Sequence, residues 1–116
     1  GISGLNQYAD EVIVRPNNSL IGNLINGAAS GIASYTVKGS LVNLEFTCTF
    51  PSIAIGTAFL VLPTAIRPRN NTHVVAINNL GDVRMLSINW NGNVSLLGSS
   101  TFSGSLICYA QYDTMR

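Results

Sequence analysis

The sequence predicts an all-β protein, a small antiparallel β-sandwich or jelly-roll-like barrel. Three observations carry this. Apolar and polar residues alternate with a period of two, most clearly from Leu41 to Phe50, as they do along a half-buried strand. The apolar runs are short, and Gly, Asn and Ser clusters interrupt them about every 8–12 residues, the spacing of strands joined by turns. The chain also holds 13 Asn, 12 Ser, 8 Thr and 11 Gly. These residues suit turns and lose to Ala, Leu, Glu and Lys in helices.

The elements follow in chain order. Leu20, Ile21, Leu24, Ile25 and Ala28 have helical spacing behind Ser19 as an N-cap. Gly22, Asn23 and Asn26 are poor helix residues, so this segment is expected to be extended or irregular. Ile32 to Val37 forms a strand, turned by Lys38-Gly39-Ser40 into the strand 41–50, where Val42, Leu44, Phe46, Cys48 and Phe50 share one face. Thr57 to Leu62 is a short apolar strand closed by Pro63. Arg67-Pro68-Arg69-Asn70-Asn71 is a loop leading to the strand 73–78. Asn79-Leu80-Gly81 separates that strand from 82–90, and Asn91-Gly92, a strong hairpin signal, separates 82–90 from 93–97. Ser105 to Tyr112 ends the set.

Composition bounds function. A chain of 116 residues fits one domain. Hydrophobic residues make up 47%, which excludes disorder. Six Lys+Arg against five Asp+Glu give a net charge of +1, with no basic stripe for a nucleic acid. No apolar run approaches the ~18 residues of a membrane-spanning helix; the longest, Ala58 to Leu62, is strand-sized. Eleven charged side chains are few for the surface of a 12.3 kDa monomer, which is on the order of 6,000 Å². Part of that surface is therefore expected to be covered by another copy.

The central hairpins sharpen this expectation. If tight turns place Asn78 near Asp82 and Trp90 near Asn93, one face carries Val74, Ala76, Leu86, Ile88, Trp90 and Leu97. The other then carries Val75, Ile77, Val83, Met85, Val94 and Leu96. A sheet with one wet face is polar on that side. Two apolar faces call for two covers, one of them a neighbouring subunit in a closed ring, or else a second layer from the same chain.

Catalytic signals are missing. His73 is the one histidine, and the acids Asp10, Glu11, Glu45, Asp82 and Asp113 are scattered. No metal-ligand spacing, phosphate-binding glycine motif or Cys-x-x-Cys occurs. The chain is expected to be non-enzymatic, with neither a metal nor another cofactor. Cys48 and Cys108 lie in alternating patterns, as buried small hydrophobes or as a bridged pair. Asn17-Asn18-Ser19, Asn70-Asn71-Thr72 and Asn93-Val94-Ser95 match the glycosylation sequon, as chance allows in so Asn- and Ser-rich a chain.

Binding signals centre on Asn89-Trp90-Asn91-Gly92-Asn93. An indole face covers the C–H face of a pyranose, and amides answer hydroxyls as donor and acceptor. Pairing of the strands brings Asn70 to Thr72 towards Trp90, with His73 beside them. Alternatively, Trp90 plugs the core or a subunit interface and His73 is an ordinary strand-end residue. Asp82 and Arg84 belong to the other end of the hairpin, about 20 Å away. They are either a surface salt bridge or part of a site completed by a neighbouring subunit. The candidate saccharide-binding residues are thus Trp90, His73, Asp82, Arg84, Asn71 and Asn91.

Read from Tyr35, the chain runs Tyr-Thr-Val-Lys-Gly-Ser-Leu-Val-Asn-Leu-Glu-Phe, then Leu62-Pro63, Ile66-Arg67-Pro68 and Ile88-Asn89-Trp90-Asn91-Gly92-Asn93-Val94, with a last strand ending at Tyr112. Over roughly residues 32–112 this order resembles the C-terminal head domain of tailed-phage receptor-binding proteins of the lactococcal baseplate type. The resemblance implies a trimer that reversibly binds cell-wall saccharides of a Gram-positive host near subunit boundaries, without catalysis. It implies that residues 1–31 end a neck or shoulder, that residues 32–116 form the head, and that a longer parent protein joins the tail tip or baseplate of the virion. The start Gly1-Ile2-Ser3, without Met, is expected of a fragment or of a residue left from cloning. In the family a Trp, a His, an Asp and an Arg line the site; Trp90, His73, Asp82 and Arg84 are the counterparts here. Arg67 or Arg69 can meet the phosphates of a teichoic-acid-like glycan. The alternative is a structural β-module of a fibre or capsid without a ligand, and a carbohydrate-processing enzyme is a third reading.

Overall fold

The computed structural model describes residues 18–98 and 101–114. Asp10, Glu11 and Asn17 lie outside them, as does most of the expected neck. Eight strands form: β1 (Asn18–Ser19), β2 (Ala29–Lys38), β3 (Leu41–Ile53), β4 (Ala58–Val61), β5 (Thr72–Asn78), β6 (Val83–Ile88), β7 (Asn93–Leu96) and β8 (Phe102–Asp113). They make one antiparallel sheet in the order β1-β2-β3-β8-β5-β6-β7-β4. The all-β expectation holds, in the form of a single sheet curled into a half-barrel. The segment 20–28 is irregular, as expected, with one short 3₁₀ turn at Ile21–Asn23. β2 starts at Ala29, and Leu20 is buried in the common core, so strand residues on both sides of 20–28 belong to the same sheet as the rest.

The alternation of β3 drives the curl. Val42, Leu44, Phe46, Cys48 and Phe50 are buried on its inner face, and Leu106, Cys108, Ala110 and Tyr112 of β8 join them. From the far end of the sheet Phe59 of β4 meets both Phe46 and Phe50, at centroid distances of 5.6 Å and 5.0 Å, edge to face. Strands third and eighth in the order thus touch across one core.

The outer edge of β4 is not left bare. The Ile25 backbone amide donates to the Phe59 carbonyl at 3.0 Å, Asn23 Nδ2 to the Val61 carbonyl at 2.8 Å and Asn26 Nδ2 to the Ala58 carbonyl at 2.6 Å. Residues 23–26 strap the last strand to the first and occupy an edge that would otherwise invite pairing with another chain. Among the described residues no helix is long and apolar enough to cross a membrane. Cys48 and Cys108 are buried and not joined in a disulfide. Burial, and next the neighbouring Cys48, push the Cys108 thiol up to about 12, so it stays protonated and inert at neutral pH.

The two central hairpins use one turn design. In Asn78-Asn79-Leu80-Gly81-Asp82 the Gly81 amide donates to the Asn78 carbonyl at 3.0 Å and the Asn78 amide to the Asp82 carbonyl at 2.9 Å. In Asn89-Trp90-Asn91-Gly92-Asn93 the same two bonds measure 2.8 Å and 2.9 Å. Gly81 and Gly92 hold φ of 89° and 95°, the left-handed position of a three-residue loop with a bulge. The second loop is therefore one residue longer than a two-residue Asn-Gly turn, and pairs Ile88 with Val94 and Leu86 with Leu96. That corrects the expected faces of β7. Val94 and Leu96 are buried in the core, while Trp90 stands at the exposed tip and Leu97 is half-buried, its amide bonded to the Met85 carbonyl. A one-residue slip exchanges the faces of a strand.

On β5 and β6 the expected faces hold. Ala76, Leu86 and Ile88 are buried inside, and Val75, Ile77, Val83 and Met85 are exposed outside. The register aligns Ile32, Thr47, Ile107, Ile77 and Val83 in one row across five strands of the outer face. Within it Ile107, Ile77 and Val83 on three neighbouring strands, with Val75 and Met85 beside them, make an exposed apolar patch, too contiguous to be scattered surface residues.

Candidate functional site

The Trp90 loop is the most built feature of the surface. Its backbone is held from below, where the Leu62 amide donates to the Gly92 carbonyl at 2.8 Å and Arg67 Nε donates to the Leu62 carbonyl at 3.0 Å. Arg67 in turn belongs to a turn anchored on β8. Thr114 Oγ1 shares its one proton between the carbonyls of Ala65 and Arg67, at 3.0 Å and 2.8 Å, and the Tyr112 hydroxyl donates to the Ile66 carbonyl at 2.6 Å. A Cβ at Gly92 would lie 2.6 Å from Arg67 Nε and 2.8 Å from the Leu62 carbonyl oxygen, at a φ that L-residues avoid. Gly92→Ala is therefore expected to cost about 2–3 kcal/mol, read as a lower urea midpoint; a loss under ~0.5 kcal/mol, as for an ordinary surface substitution, would show that the loop is not held this way.

Trp90 is 60% exposed. Its backbone amide donates to Asn71 Oδ1 at 2.8 Å, so the loop before β5 and the β6–β7 tip are locked together, as the sequence led us to expect. This bond leaves the Asn71 NH₂ to donate outward. Asn91 Oδ1 accepts from the Asn93 amide at 3.1 Å, which again leaves an NH₂ at the tip. His73 is exposed on the strand that Asn71 enters, paired with Ser87. Trp90, Asn71 and Asn91 thus form one group, with His73 two residues beyond Asn71, on β5.

Asp82 and Arg84 are not in that group. They sit at the opposite end of β6, where the Asp82 amide donates to Asn78 Oδ1 at 2.8 Å. Arg84 pairs across to Ala76 and lays its guanidinium over the Phe102 ring, 5.0 Å from the centroid. That is a cation–π contact at the mouth of the core, and it employs Arg84 within its own protomer.

Two concavities lie nearby. β5 and β8 pair at Ala76–Cys108 and again at the Pro68–Thr114 bridge, eight residues apart on one strand and six on the other. The two extra residues bow out, and a cleft of about 270 Å³ opens beside them, lined by Arg69, Asn70, Asn71, Thr72, Gln111 and Asp113 among others. Asn71 links this cleft to the Trp90 tip. The larger concavity, about 550 Å³, lies on the outer face of β2, β3 and β8 and includes Glu45, Tyr109 and Gln111. Sequence reasoning missed it. The polar positions of β3 and β8 are visible in their alternation, but nothing local says that these two strands pair.

Among the described residues no three His, Cys, Asp or Glu side chains gather as a metal site would require. Compared with protein-family models and with curated proteins, the chain matches none.

Proposed function

We propose that this chain is the receptor-binding head of a tailed-phage tail tip or baseplate, a non-catalytic homotrimeric module that binds saccharides of a Gram-positive cell wall. The observation that carries the reading is the braced, exposed Trp90, flanked by the amides of Asn71 and Asn91 and by the adjoining cleft. The ring supplies an apolar platform whose position is fixed before a ligand arrives, which lowers the ordering cost of binding. Asn71, Asn91 and His73 answer hydroxyls around it, and Arg69 in the cleft can meet the phosphate of a teichoic-acid-like glycan.

The outer apolar band supports assembly. Copies packed on Ile107, Ile77 and Val83, with Val75 and Met85, hide what one copy leaves wet. In such a ring Asp82 and Arg84 can approach the Trp90 group only from a neighbouring subunit. Single sugar sites bind at about the millimolar level, near −4 kcal/mol. A trimer displayed in many copies by other tail proteins raises the effective concentration and makes adhesion firm yet reversible.

Titration of the chain with purified host-wall polysaccharide, followed by calorimetry, tests this. The wild type is expected to bind, and Trp90→Ala to weaken binding at least tenfold with unchanged size and circular dichroism. A wild-type trimer that ignores the polysaccharide would favour the structural fibre or capsid module instead. Loss of the trimer in Trp90→Ala would assign the ring to the interface.

A further inference from the structure

The larger concavity has an internal order that suggests its occupant. Its floor is one rung of the sheet, Tyr35–Leu44–Ala110, whose side chains turn to the core. Its two walls are the flanking rungs, which point outward. One wall is Thr36–Asn43–Gln111 and the other Ser34–Glu45–Tyr109. In the first, Gln111 Nε2 donates to Asn43 Oδ1 at 2.6 Å, which leaves one NH₂ and one carbonyl side by side. In the second, Ser34 Oγ donates to Glu45 Oε1 at 3.3 Å, which steadies the carboxylate and leaves its other oxygen to accept. Tyr109, 72% exposed, closes that wall as a free aromatic face.

We propose that this groove is a second carbohydrate site, for one or two neutral pyranose units, independent of the Trp90 group. A volume of about 550 Å³ lies in the ordinary range for small-ligand sites. A ring stacked on Tyr109 would meet a carboxylate that takes two hydroxyl hydrogens and an amide pair that offers one donor and one acceptor, the complement of neighbouring sugar hydroxyls. Among the described residues Glu45 is the one charged side chain on either wall, with no Lys or Arg among them to offset it. The groove therefore disfavours uronic acids and phosphorylated sugars, whereas the cleft beyond Gln111 holds Arg69. Gln111 lines both concavities.

Nuclear magnetic resonance titration of the ¹⁵N-labelled chain with N,N′-diacetylchitobiose, maltose and glucuronic acid tests the assignment. A neutral disaccharide is expected to shift the side-chain amides of Asn43 and Gln111 at millimolar concentration, while glucuronic acid leaves them in place. Tyr109→Ala should weaken that response at least tenfold, Tyr109→Phe should preserve it, and Trp90→Ala should not alter it. No shift at Asn43 and Gln111 with either disaccharide, equal shifts with glucuronic acid, or an unchanged response in Tyr109→Ala would each overturn the proposal. Shifts confined to Asn71, Asn91 and the Trp90 indole would overturn it while leaving the phage-head reading intact.

Discussion

Replacing Ile77 by Lys is expected to convert the proposed trimer to single chains, a fall in mass from about three times 12.3 kDa to 12.3 kDa, while the far-ultraviolet circular dichroism stays the same. Ile77 is 48% exposed in the single chain, so a long cation there reaches water without disturbing the protomer. It also lies in the middle of the outer apolar row, between Ile107 and Val83. Against another copy the ammonium would be buried without a partner, which costs several kcal/mol, and symmetry would repeat that cost at every contact. Light scattering on a sizing column reads the result. A wild type that runs as 12.3 kDa at micromolar concentration would remove the trimer from the proposal.

Phe59→Ala is the substitution expected to harm the fold most. Phe59 is fully buried and is the ring through which β4 meets Phe46 and Phe50 of β3. Its loss should cost about 3–5 kcal/mol, a large part of the roughly 5–15 kcal/mol that holds a domain of this size. At about 4–8 °C per kcal/mol, melting should fall by 15 °C or more, scanned at fixed chain concentration because association adds to stability. A fall below about 5 °C, near 1 kcal/mol on that same scale, would show that the two ends of the curled sheet do not depend on each other.

Much of this architecture is legible in the sequence, because burial on one face writes period-two alternation into β3 and β8, and because Asn-x-x-Gly marks both central hairpins. What is not legible is non-local. Nothing in residues 102–113 says that they insert between β3 and β5, or that Asn23 and Asn26 reach across to β4. The error over Val94 and Leu96 came from turn subtype: Asn91-Gly92 reads equally as the whole of a two-residue turn or as the end of a three-residue one, and the two differ by one residue of register. Trp90 and Asn71 were foreseeable as neighbours because one hairpin joins their strands. Tyr109 and Glu45 were not, since 64 positions separate them along the chain.

The placement of β8 also governs how the molecule comes into being. The thirteen residues of β3 are complete long before β8, and the β5–β6–β7 meander just before it, yet β3 and β5 both need β8 as a neighbour. While the ribosome is still adding those twelve residues, the nascent polypeptide holds two unjoined sheet fragments with open strand margins, the state in which β-rich proteins are prone to mispair. Closure then waits on pairings as distant as Leu41 with Asp113, and non-local pairing of this kind slows folding.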